Sequence, residues 1–221
     1  MFQFATTCVD NFFKHPDEIV NLADTLEYKP EPKGMWAGAR SPELRLVSPS
    51  FKDAVCTKYL KLHLNTPMTG YQCGAYFQKI GLASGGLGEG WVHNDTPHLH
   101  TTLIYLNKYE NLKSGTSLYR PKKGVGPMIT TLNNTKKREF NLGNITAKEA
   151  AKLRTESNND FEETIRFANV YNRCIGFDSV EWHAANEFSQ KTKDPRLTLI
   201  LFWSEISSGQ TSLQRSEMEI I

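Results

Sequence analysis

Five segments between residues 71 and 206 are rich in β-branched and aromatic side chains, and they limit the possible folds more than any other feature. They cover residues 71–80, 99–107, 115–120, 168–177 and 196–206. This composition is typical of β-strands. Two segments with apolar residues at helical spacing come earlier, beginning near Pro16 and Ser50. Helices followed by strands favour a fold that is mainly β with supporting helices, of the α+β class.

The length favours one domain. The chain has 221 residues, of which 39% are hydrophobic, and single all-β domains often reach this size. We expect a helical N-terminal part over about residues 1–66 and a β core over about residues 67–206. A polar insert over residues 121–167 interrupts the core, and Thr146 followed by Glu149 predicts the start of a helix within it.

Composition argues against several kinds of partner. The formal net charge is +2 and the lysines are scattered, so we expect no nucleic-acid partner. The apolar runs are too short to span a membrane and the N-terminus lacks a signal-peptide pattern, so we expect no membrane partner. The four cysteines are widely spaced without a C-x-x-C pair, which favours reduced thiols. Together these features predict a soluble, cytoplasmic protein.

The segment from Trp91 to Pro97 contains the motif most relevant to chemistry. His93 and Asp95 are two positions apart where a glycine-rich run gives way to a strand-like segment, so both side chains should lie on the same side. A neutral imidazole and a carboxylate suit Fe(II), Mn(II) or Zn(II), but two protein ligands hold a metal weakly. We therefore expect a third ligand from elsewhere in the chain.

His183 is the best candidate for that third ligand. It lies in a short segment between two predicted strands, and His-x-Asp followed far downstream by histidine is the order of the 2-His-1-carboxylate facial triad. A double-stranded β-helix core, of the jelly-roll or cupin type, brings residues from distant strands into one barrel mouth. We predict this core because His93, Asp95 and His183 need it to meet.

Two further histidines leave an alternative open. His98 and His100 could line the substrate entrance or be satisfied locally within the sheet. With His93 they would also permit a compact zinc site.

Two loops are candidates for substrate contact. The glycine-rich run at residues 81–90 is either a mobile flap beside the metal or a plain flexible connection. Trp36 and Arg40 lie in an earlier loop and could touch a substrate, although an aromatic residue in such a loop more often closes the edge of the core.

Several motifs then occur in the order found in a known family. Residues 71–206 resemble the iron(II)- and 2-oxoglutarate-dependent dioxygenases, with the pattern of the prolyl-hydroxylase-like branch and of poorly characterised bacterial and phage members. The matching pieces are Trp91-Val-His93-Asn-Asp95, Leu103-Ile-Tyr105-Leu-Asn107, Ser114-Gly-Thr-Ser-Leu-Tyr119, Ile175-Gly-Phe177 before His183, and Arg196-Leu-Thr198-Leu-Ile-Leu-Phe-Trp203. The departures are the insert at 121–167, the thirteen positions between His183 and Arg196, which are somewhat more than usual, and serine in place of the first glycine of the turn.

The resemblance implies the cofactors and their ligands. Fe(II) would be held by His93, Asp95 and His183, with 2-oxoglutarate as co-substrate and O2 as oxidant. Arg196 would bind the distal carboxylate of 2-oxoglutarate, since a guanidinium meets a carboxylate with two hydrogen bonds. Thr198 lies two positions further on the same strand face, and the Tyr105 hydroxyl resembles a family residue that helps to bind this carboxylate.

The expected activity is hydroxylation of a C–H bond, with 2-oxoglutarate converted to succinate and CO2. The substrate would be a peptide or protein side chain, an amino acid or a small metabolite. Tyr76 and Gln78 are further candidates for the co-substrate pocket, and Arg120 and Arg173 for substrate contact. The alternatives are a cupin-like metal-dependent isomerase or hydrolase, and a non-enzymatic jelly-roll binding module.

Overall fold

The computed structural model describes residues 4–30, 32–64, 68–81, 89–108, 111–123, 129–187, 195–208 and 211–212. Its helices are α1 (Pro16–Asp24), α2 (Leu44–Val47), α3 (Pro49–Leu64), α4 (Ile129–Asn141) and α5 (Ala147–Asn158). Its strands are β1 (Thr7–Val9), β2 (Lys29–Pro30), β3 (Ala39–Arg40), β4 (Met68–Ile80), β5 (His100–Tyr105), β6 (Asn111–Pro121), β7 (Phe161–Asn169), β8 (Cys174–Asp178), β9 (Trp182–Ala185), β10 (Arg196–Ser208) and β11 (Thr211–Ser212).

The strands form two antiparallel sheets. The major sheet has eight strands, with β1-β8-β5-β10-β4-β3-β2 in order and β11 paired to β10. The minor sheet has the order β7-β6-β9. The prediction of a mainly β fold with supporting helices and a jelly-roll core is therefore confirmed.

Alternation along β10 separates two environments. Leu197, Leu199, Leu201 and Trp203 belong to the core cluster that the helices cover. The intervening residues Arg196, Thr198, Ile200 and Phe202 line a cavity on the other face of the major sheet. Successive side chains of a strand point to opposite faces, so one strand contributes both to the core and to the cavity.

A second apolar cluster lies between the two sheets. It joins residues of β5, β8 and β10 in the major sheet to residues of β6 and β7 in the minor sheet, namely Leu103, Tyr105, Leu118, Phe167, Ile175, Phe177 and Ile200. Packing of two sheets face to face is what holds a jelly roll together. This cluster fixes the minor sheet, which carries His183, against the major sheet.

Most element predictions agree with the structure, but one predicted strand is wrong. The segment at 168–177 contains the end of β7, a turn and β8. Asn172 lies in this turn with a φ of 63°, and its side chain donates to the Phe13 carbonyl oxygen at 2.8 Å. Asparagine tolerates this left-handed conformation better than most residues. The turn is not evident from the sequence, because the residues around it are β-branched and aromatic and favour a strand.

The insert and the N-terminal part also differ from expectation. The strands resume at Phe161, the first residue of β7, rather than after residue 167. The insert contains α4 as well as α5, and Thr146 caps α5 as expected by accepting from the Glu149 amide at 3.2 Å. The N-terminal part supplies β1, β2 and β3 in addition to its helices. None of the described helices has the length and apolar character needed to cross a membrane.

Candidate metal centre

Backbone pairing brings His93 and His183 together. His183 lies in β9, and the two residues form an antiparallel bridge in which each amide donates to the other's carbonyl oxygen, at 3.0 and 2.8 Å. Their rings are side by side with centroids 4.4 Å apart. The segment around His93 therefore continues the minor sheet by one residue pair beyond β9.

Asp95 completes the cluster. Its amide donates to the Ser179 carbonyl oxygen at 2.9 Å, and Thr101 donates from its hydroxyl to the carboxylate at 2.9 Å. The carboxylate oxygens lie 3.7 Å from the His93 Nε2 and 3.3 Å from the His183 Nε2. One ligand atom from each of the three residues lies within 4.8 Å of the others, and no other such cluster is found among the described residues.

Hydrogen bonds orient both imidazoles. The His93 Nδ1 lies 2.8 Å from the Trp91 carbonyl oxygen, and the His183 Nδ1 lies 3.0 Å from that of Glu181. Because a carbonyl can only accept, each Nδ1 carries the proton and each Nε2 keeps a lone pair for a metal. Both histidines thus present the same ring nitrogen to the space beside Asp95.

The protonation states also suit a cation. Burial and the nearby charges of Lys137 and His183 hold the pKa of His93 well below its usual value. Burial raises the pKa of Asp95, but its neighbours His183, His93 and Thr101 outweigh burial and lower this pKa overall. Neutral imidazole and ionised carboxylate are the forms that bind a divalent metal.

The cluster lies in the wall of a cavity of about 150 Å³. The two sheets contribute Gln78, Thr101, Leu103, Thr116, Arg196 and Thr198, and the ends of the glycine-rich run contribute Glu89 and Gly90. Gly90 is held by its amide, which donates to the Ala185 carbonyl oxygen at 2.7 Å. Residues 82–88, which make up most of the predicted flap, lie outside the described residues.

Arg196 lines the same cavity as the three candidate ligands. It is 8% exposed and donates to the Gly115 carbonyl oxygen at 2.9 Å and to the Thr116 hydroxyl at 3.4 Å. Burial lowers the pKa of Arg196, yet a guanidinium stays protonated in proteins. A buried positive charge therefore lies in the cavity. The sequence resemblance, which implies that Arg196 binds the distal carboxylate of 2-oxoglutarate, requires such a charge.

Thr198 and Tyr105 are neighbours of Arg196, but only Thr198 lines the cavity. Thr198 is paired with both Tyr105 and Gln78 across the major sheet. The Tyr105 ring lies below the guanidinium of Arg196, with 5.4 Å from its centroid to Cζ. Burial raises the pKa of Tyr105 to about 12. The Tyr105 hydroxyl is buried near Thr116 without a well-formed hydrogen bond to any described residue.

His98 and His100 do not join the cluster. His100 is buried on the helical side of the major sheet, where its Nε2 is hydrogen-bonded to the Tyr59 hydroxyl and its ring packs on Phe4 at 5.3 Å. The His98 ring stacks on Phe202 at 4.9 Å. These contacts fit the interpretation in which both histidines interact locally within the fold better than the interpretation in which they bind zinc.

The other sequence candidates divide between the cavity and the surface. Gln78 lines the cavity and donates to the Ala37 carbonyl oxygen at 2.7 Å. Arg120 forms an exposed ion pair with Glu162 at 2.8 Å. Arg173 forms two hydrogen bonds with Asp10, at 2.6 and 2.9 Å. Neither arginine lines the cavity, so the structure gives no support to substrate contact by either.

Tyr76, the remaining candidate for the co-substrate pocket, does not line the cavity. It borders an adjacent depression that it shares with Trp36 and Arg40. Trp36 and Arg40 do line the cavity, so for them the interpretation of substrate contact fits better than closure of the core edge.

Helix α4 also contributes to the cavity, which was not predicted from the sequence. Lys137, Phe140 and Asn141 of this helix line the cavity opposite the sheets. Their spacing at i, i+3 and i+4 places them on one helical face, and this spacing was the available signal. This spacing is hard to recognise in the sequence because the insert is polar overall.

Solved structures with the same fold include two proteins that use 2-oxoglutarate. HygX from Streptomyces hygroscopicus, solved with nickel and 2-oxoglutarate bound, is 11% identical with a TM-score of 0.52, over 91% of this chain and 83% of HygX. SnoN, a non-heme α-ketoglutarate-dependent epimerase from nogalamycin biosynthesis, is 10% identical with a TM-score of 0.53, over 98% of this chain and 83% of SnoN. The chain therefore has the fold of the 2OG-Fe(II) oxygenases, as the sequence resemblance predicted.

A prolyl-4-hydroxylase is also among the matched structures. The enzyme from Pseudomonas putida is 13% identical with a TM-score of 0.45, over 91% of this chain and 92% of the enzyme. The TM-scores of HygX and SnoN show a common fold with this chain, and their low identities to it leave the reaction open.

Sequence comparison gives the family. A search of curated proteins found no match. The model of a family of unknown function, DUF6445, matches residues 3–203. Because this match covers most of the chain, the protein belongs to the DUF6445 family.

Proposed function

We propose that this protein is an Fe(II)- and 2-oxoglutarate-dependent oxygenase that hydroxylates a C–H bond. The observation that carries the proposal is one cavity that contains both the cluster of His93, Asp95 and His183 and the buried guanidinium of Arg196. Either feature alone has common structural explanations. Together they match the needs of a metal and of a dicarboxylate bound beside it.

The donor set fits ferrous iron. Two neutral imidazoles and one carboxylate leave coordination positions open, as in the 2-His-1-carboxylate sites of non-heme iron oxygenases. The Thr101 hydroxyl, which is within 2.9 Å of both the Asp95 carboxylate and the Ser179 hydroxyl, holds the carboxylate in place. Such outer hydrogen bonds usually support metal affinity.

Arg196 and its neighbours fit the co-substrate. The guanidinium would bind the distal carboxylate of 2-oxoglutarate, and Thr198, on the same face of β10, would donate a hydrogen bond to it. The buried Tyr105 hydroxyl lacks a well-formed hydrogen bond to any described residue. Since buried polar groups are usually satisfied, a bound carboxylate is a suitable partner for this hydroxyl.

When bound, the iron would supply the activation of O2, coupled to conversion of 2-oxoglutarate to succinate and CO2. The residues of the chain would orient the ligands, hold the carboxylate of the co-substrate and exclude water. Leu103, Ile200 and Phe202 give the cavity apolar walls, which is consistent with exclusion of water.

The alternatives have less support. His98 and His100 are engaged elsewhere, so a zinc isomerase or hydrolase that used them would need another ligand set. A binding module has no need of a cluster that combines two oriented imidazoles with a carboxylate. Epimerisation, which is the activity in the name of SnoN, could use the same cluster, so product analysis should include epimers.

We also propose a cytoplasmic location and a substrate that is a small molecule or a peptide. The location is supported by the four cysteines, all within the described part of the chain and all present as free thiols. Disulfides are rare in reducing compartments. The net charge of +2 favours neither nucleic acid nor a membrane as partner.

Substitution of the three candidate ligands tests the proposal. His93→Ala, Asp95→Ala and His183→Ala should each reduce Fe(II)-dependent formation of succinate from 2-oxoglutarate to background, because three ligands are the minimum for this site. Their free energies of unfolding should change little, since an open metal site adds less folding energy than a closed structural site. Succinate formation is measured by mass spectrometry and unfolding by urea titration.

His98→Ala is the matched control and should retain wild-type turnover. A triad variant that kept near-normal succinate formation with iron bound would show that the ligand assignment is wrong. Loss of metal binding in His98→Ala and in His93→Ala, with retention in His183→Ala, would instead favour the zinc alternative.

A further inference from the structure

Helix α4 presents a fixed face to the cavity. Lys137, Phe140 and Asn141 line it, and the Asn141 side chain donates to the Gly34 carbonyl oxygen at 3.0 Å. This bond ties the end of α4 to the loop that carries Trp36 and leads into β3, which ends at Arg40. The wall that faces the metal cluster is thus built from the insert and the N-terminal part together.

Lys137 is a cation in this wall without a close carboxylate. It makes no hydrogen bond or ion pair with another described residue, and desolvation outweighs the attraction of Asp95, so that the pKa of Lys137 is lowered to about 8. By comparison, Glu89 at the other side of the cavity lies 3.4 Å from Arg154. The acidic residues of the cavity wall therefore have other partners.

The charges of the proposed complex leave Lys137 unbalanced. In the proposed complex, the charges of a divalent metal, the Asp95 carboxylate, 2-oxoglutarate and Arg196 would sum to zero. Glu89 is balanced by Arg154. Among the described residues, the part of the cavity between α4 and the loop that carries Trp36 therefore keeps the positive charge of Lys137 with metal and co-substrate bound.

The same part of the cavity is also aromatic. Trp36, Phe140 and Phe202 line it together with Ile80. The indole N–H of Trp36 is buried without a partner among the described residues, which is costly for a polar group unless a ligand completes it. A ligand that suits this wall combines a flat or apolar body with an anionic group.

We propose that the substrate carries a carboxylate or phosphate group that binds Lys137, next to an aromatic or aliphatic part that packs on Trp36 and Phe140. The proposal rests on the proposed function for its reaction, but the binding site itself can be tested without turnover. Lysine meets either anion as a point charge, so the two anions are separate arms of the test.

The test uses protein loaded with Mn(II) and saturating 2-oxoglutarate, so that Arg196 is occupied and no oxidation occurs. The probes are 3-phenylpropionate, phenyl phosphate and the neutral 3-phenylpropanamide. Their binding is followed by the paramagnetic relaxation that Mn(II) induces in the phenyl protons. At least one anion should bind about tenfold or more tightly than the amide, as expected for a hydrogen bond to a charged group.

Three variants assign the preference to one side chain. Lys137→Met should remove the preference for the anion, and Lys137→Arg should retain most of it. Lys136→Met removes the same charge from the neighbouring position of α4, which does not line the cavity, and should leave the preference unchanged. Equal binding of anion and amide, binding of no probe, or a preference that survives in Lys137→Met would each overturn the proposal.

A second measurement separates this proposal from the proposed function. Probe binding to metal-free protein is followed by tryptophan fluorescence in wild type, Lys137→Met and Arg196→Ala. A preference lost in Lys137→Met and kept in Arg196→Ala supports the anion site even if 2-oxoglutarate fails to bind. A preference lost only in Arg196→Ala would assign the anion to the co-substrate pocket and contradict the role of Lys137.

Discussion

Arg196 is the residue on which recognition of 2-oxoglutarate depends in this account. It is the first residue of β10 and points into the cavity, while the next residue, Leu197, packs in the helical core. Its guanidinium is positioned by Gly115 and Thr116 on the minor sheet. The proposed co-substrate pocket thus lies where the two sheets meet.

Arg196→Ala should weaken 2-oxoglutarate binding by roughly 30-fold to several-thousand-fold. Loss of one partner of a buried charge pair costs about 2–5 kcal/mol, and about 1.4 kcal/mol corresponds to tenfold. Arg196→Lys should recover part of the loss, since an ammonium lacks the two-pronged geometry. Binding is measured by anaerobic titration of 2-oxoglutarate into Fe(II)-loaded protein.

Arg120→Ala is the control for this prediction. Arg120 is exposed and paired with Glu162, so its loss should leave co-substrate affinity unchanged. An unchanged dissociation constant in Arg196→Ala would remove Arg196 from the pocket.

Arg173, another arginine considered from the sequence, should act on stability alone. It holds the pKa of Asp10 below its usual value through a hydrogen bond. Because the folded-state pKa is lower than the unfolded-state pKa, the pair stabilises the fold fully above about pH 4 and less as the pH falls through the folded-state value. Asp10→Asn should therefore cost within about 1 kcal/mol at pH 7, because half-exposed pairs are weak, and less at pH 3.

Urea unfolding at the two pH values measures this difference. A cost that stayed constant or grew in acid would contradict the assigned pair. Weakened 2-oxoglutarate binding in Asp10→Asn would return Arg173 to the list of site candidates.

At the level of single residues, sequence and structure agree where spacing carries the information. His93 and Asp95 are two positions apart on an extended segment, and the structure brings His183 to them through one backbone bridge. Their role as metal ligands stays a prediction. Lys137 could not be placed from the sequence, because its position depends on how the insert packs against the sheets.

Among the secondary-structure elements, α3 contacts the major sheet through the side chain of Tyr59. The Tyr59 hydroxyl of α3 contacts His100 of β5 directly above Gly176 of β8. A Cβ at position 176 would overlap the Tyr59 hydroxyl and lie 2.8 Å from the His100 Nε2. The absence of a side chain at Gly176 thus permits this contact between helix and sheet.

Gly176→Ala should destabilise the protein by about 1–3 kcal/mol, as overpacking of a close-packed core does. Tyr59→Phe removes the overlapping hydroxyl, so the double variant should lose less stability than the sum of the single variants. Urea unfolding gives all three values. Gly70→Ala in β4 is the control, since a Cβ there has nothing within 4 Å.

Strictly additive losses would show that Tyr59 is not the obstacle at position 176. A loss in Gly70→Ala as large as in Gly176→Ala would attribute the effect to substitution of a strand glycine in general.

Prediction of elements from the sequence succeeded for long periodic segments and failed at a turn. The segments that became β4, β5, β6 and β10 were placed correctly because alternation and composition agree in them. The composition of residues 168–177 predicts one strand, because the turn within it contains Val170 and Tyr171, which favour strands. Its division depends on contacts of Asn172 with Phe13, 159 positions away, which no local pattern reveals.

In the molecule as a whole, the candidate metal ligands His93, Asp95 and His183 and the guanidinium of Arg196 line one cavity between the two sheets. The jelly-roll core could be predicted because a helical segment followed by strands, and a His-x-Asp motif that needs a distant histidine, both favour it. That residues 1–221 form a single domain stays a prediction. That α4 closes the cavity could not be predicted from the sequence, because this closure depends on contacts between the insert and the N-terminal part.

The most direct test of the account is an anaerobic titration of Fe(II) into the protein with 2-oxoglutarate present. Wild type should develop the weak visible charge-transfer band of a complex between iron and 2-oxoglutarate, which saturates at about one equivalent because the three ligands form one site. Arg196→Ala should need more 2-oxoglutarate to reach the same band, and His183→Ala should give none. A folded wild-type protein without the band, or an equal band in His183→Ala, would contradict the central claim.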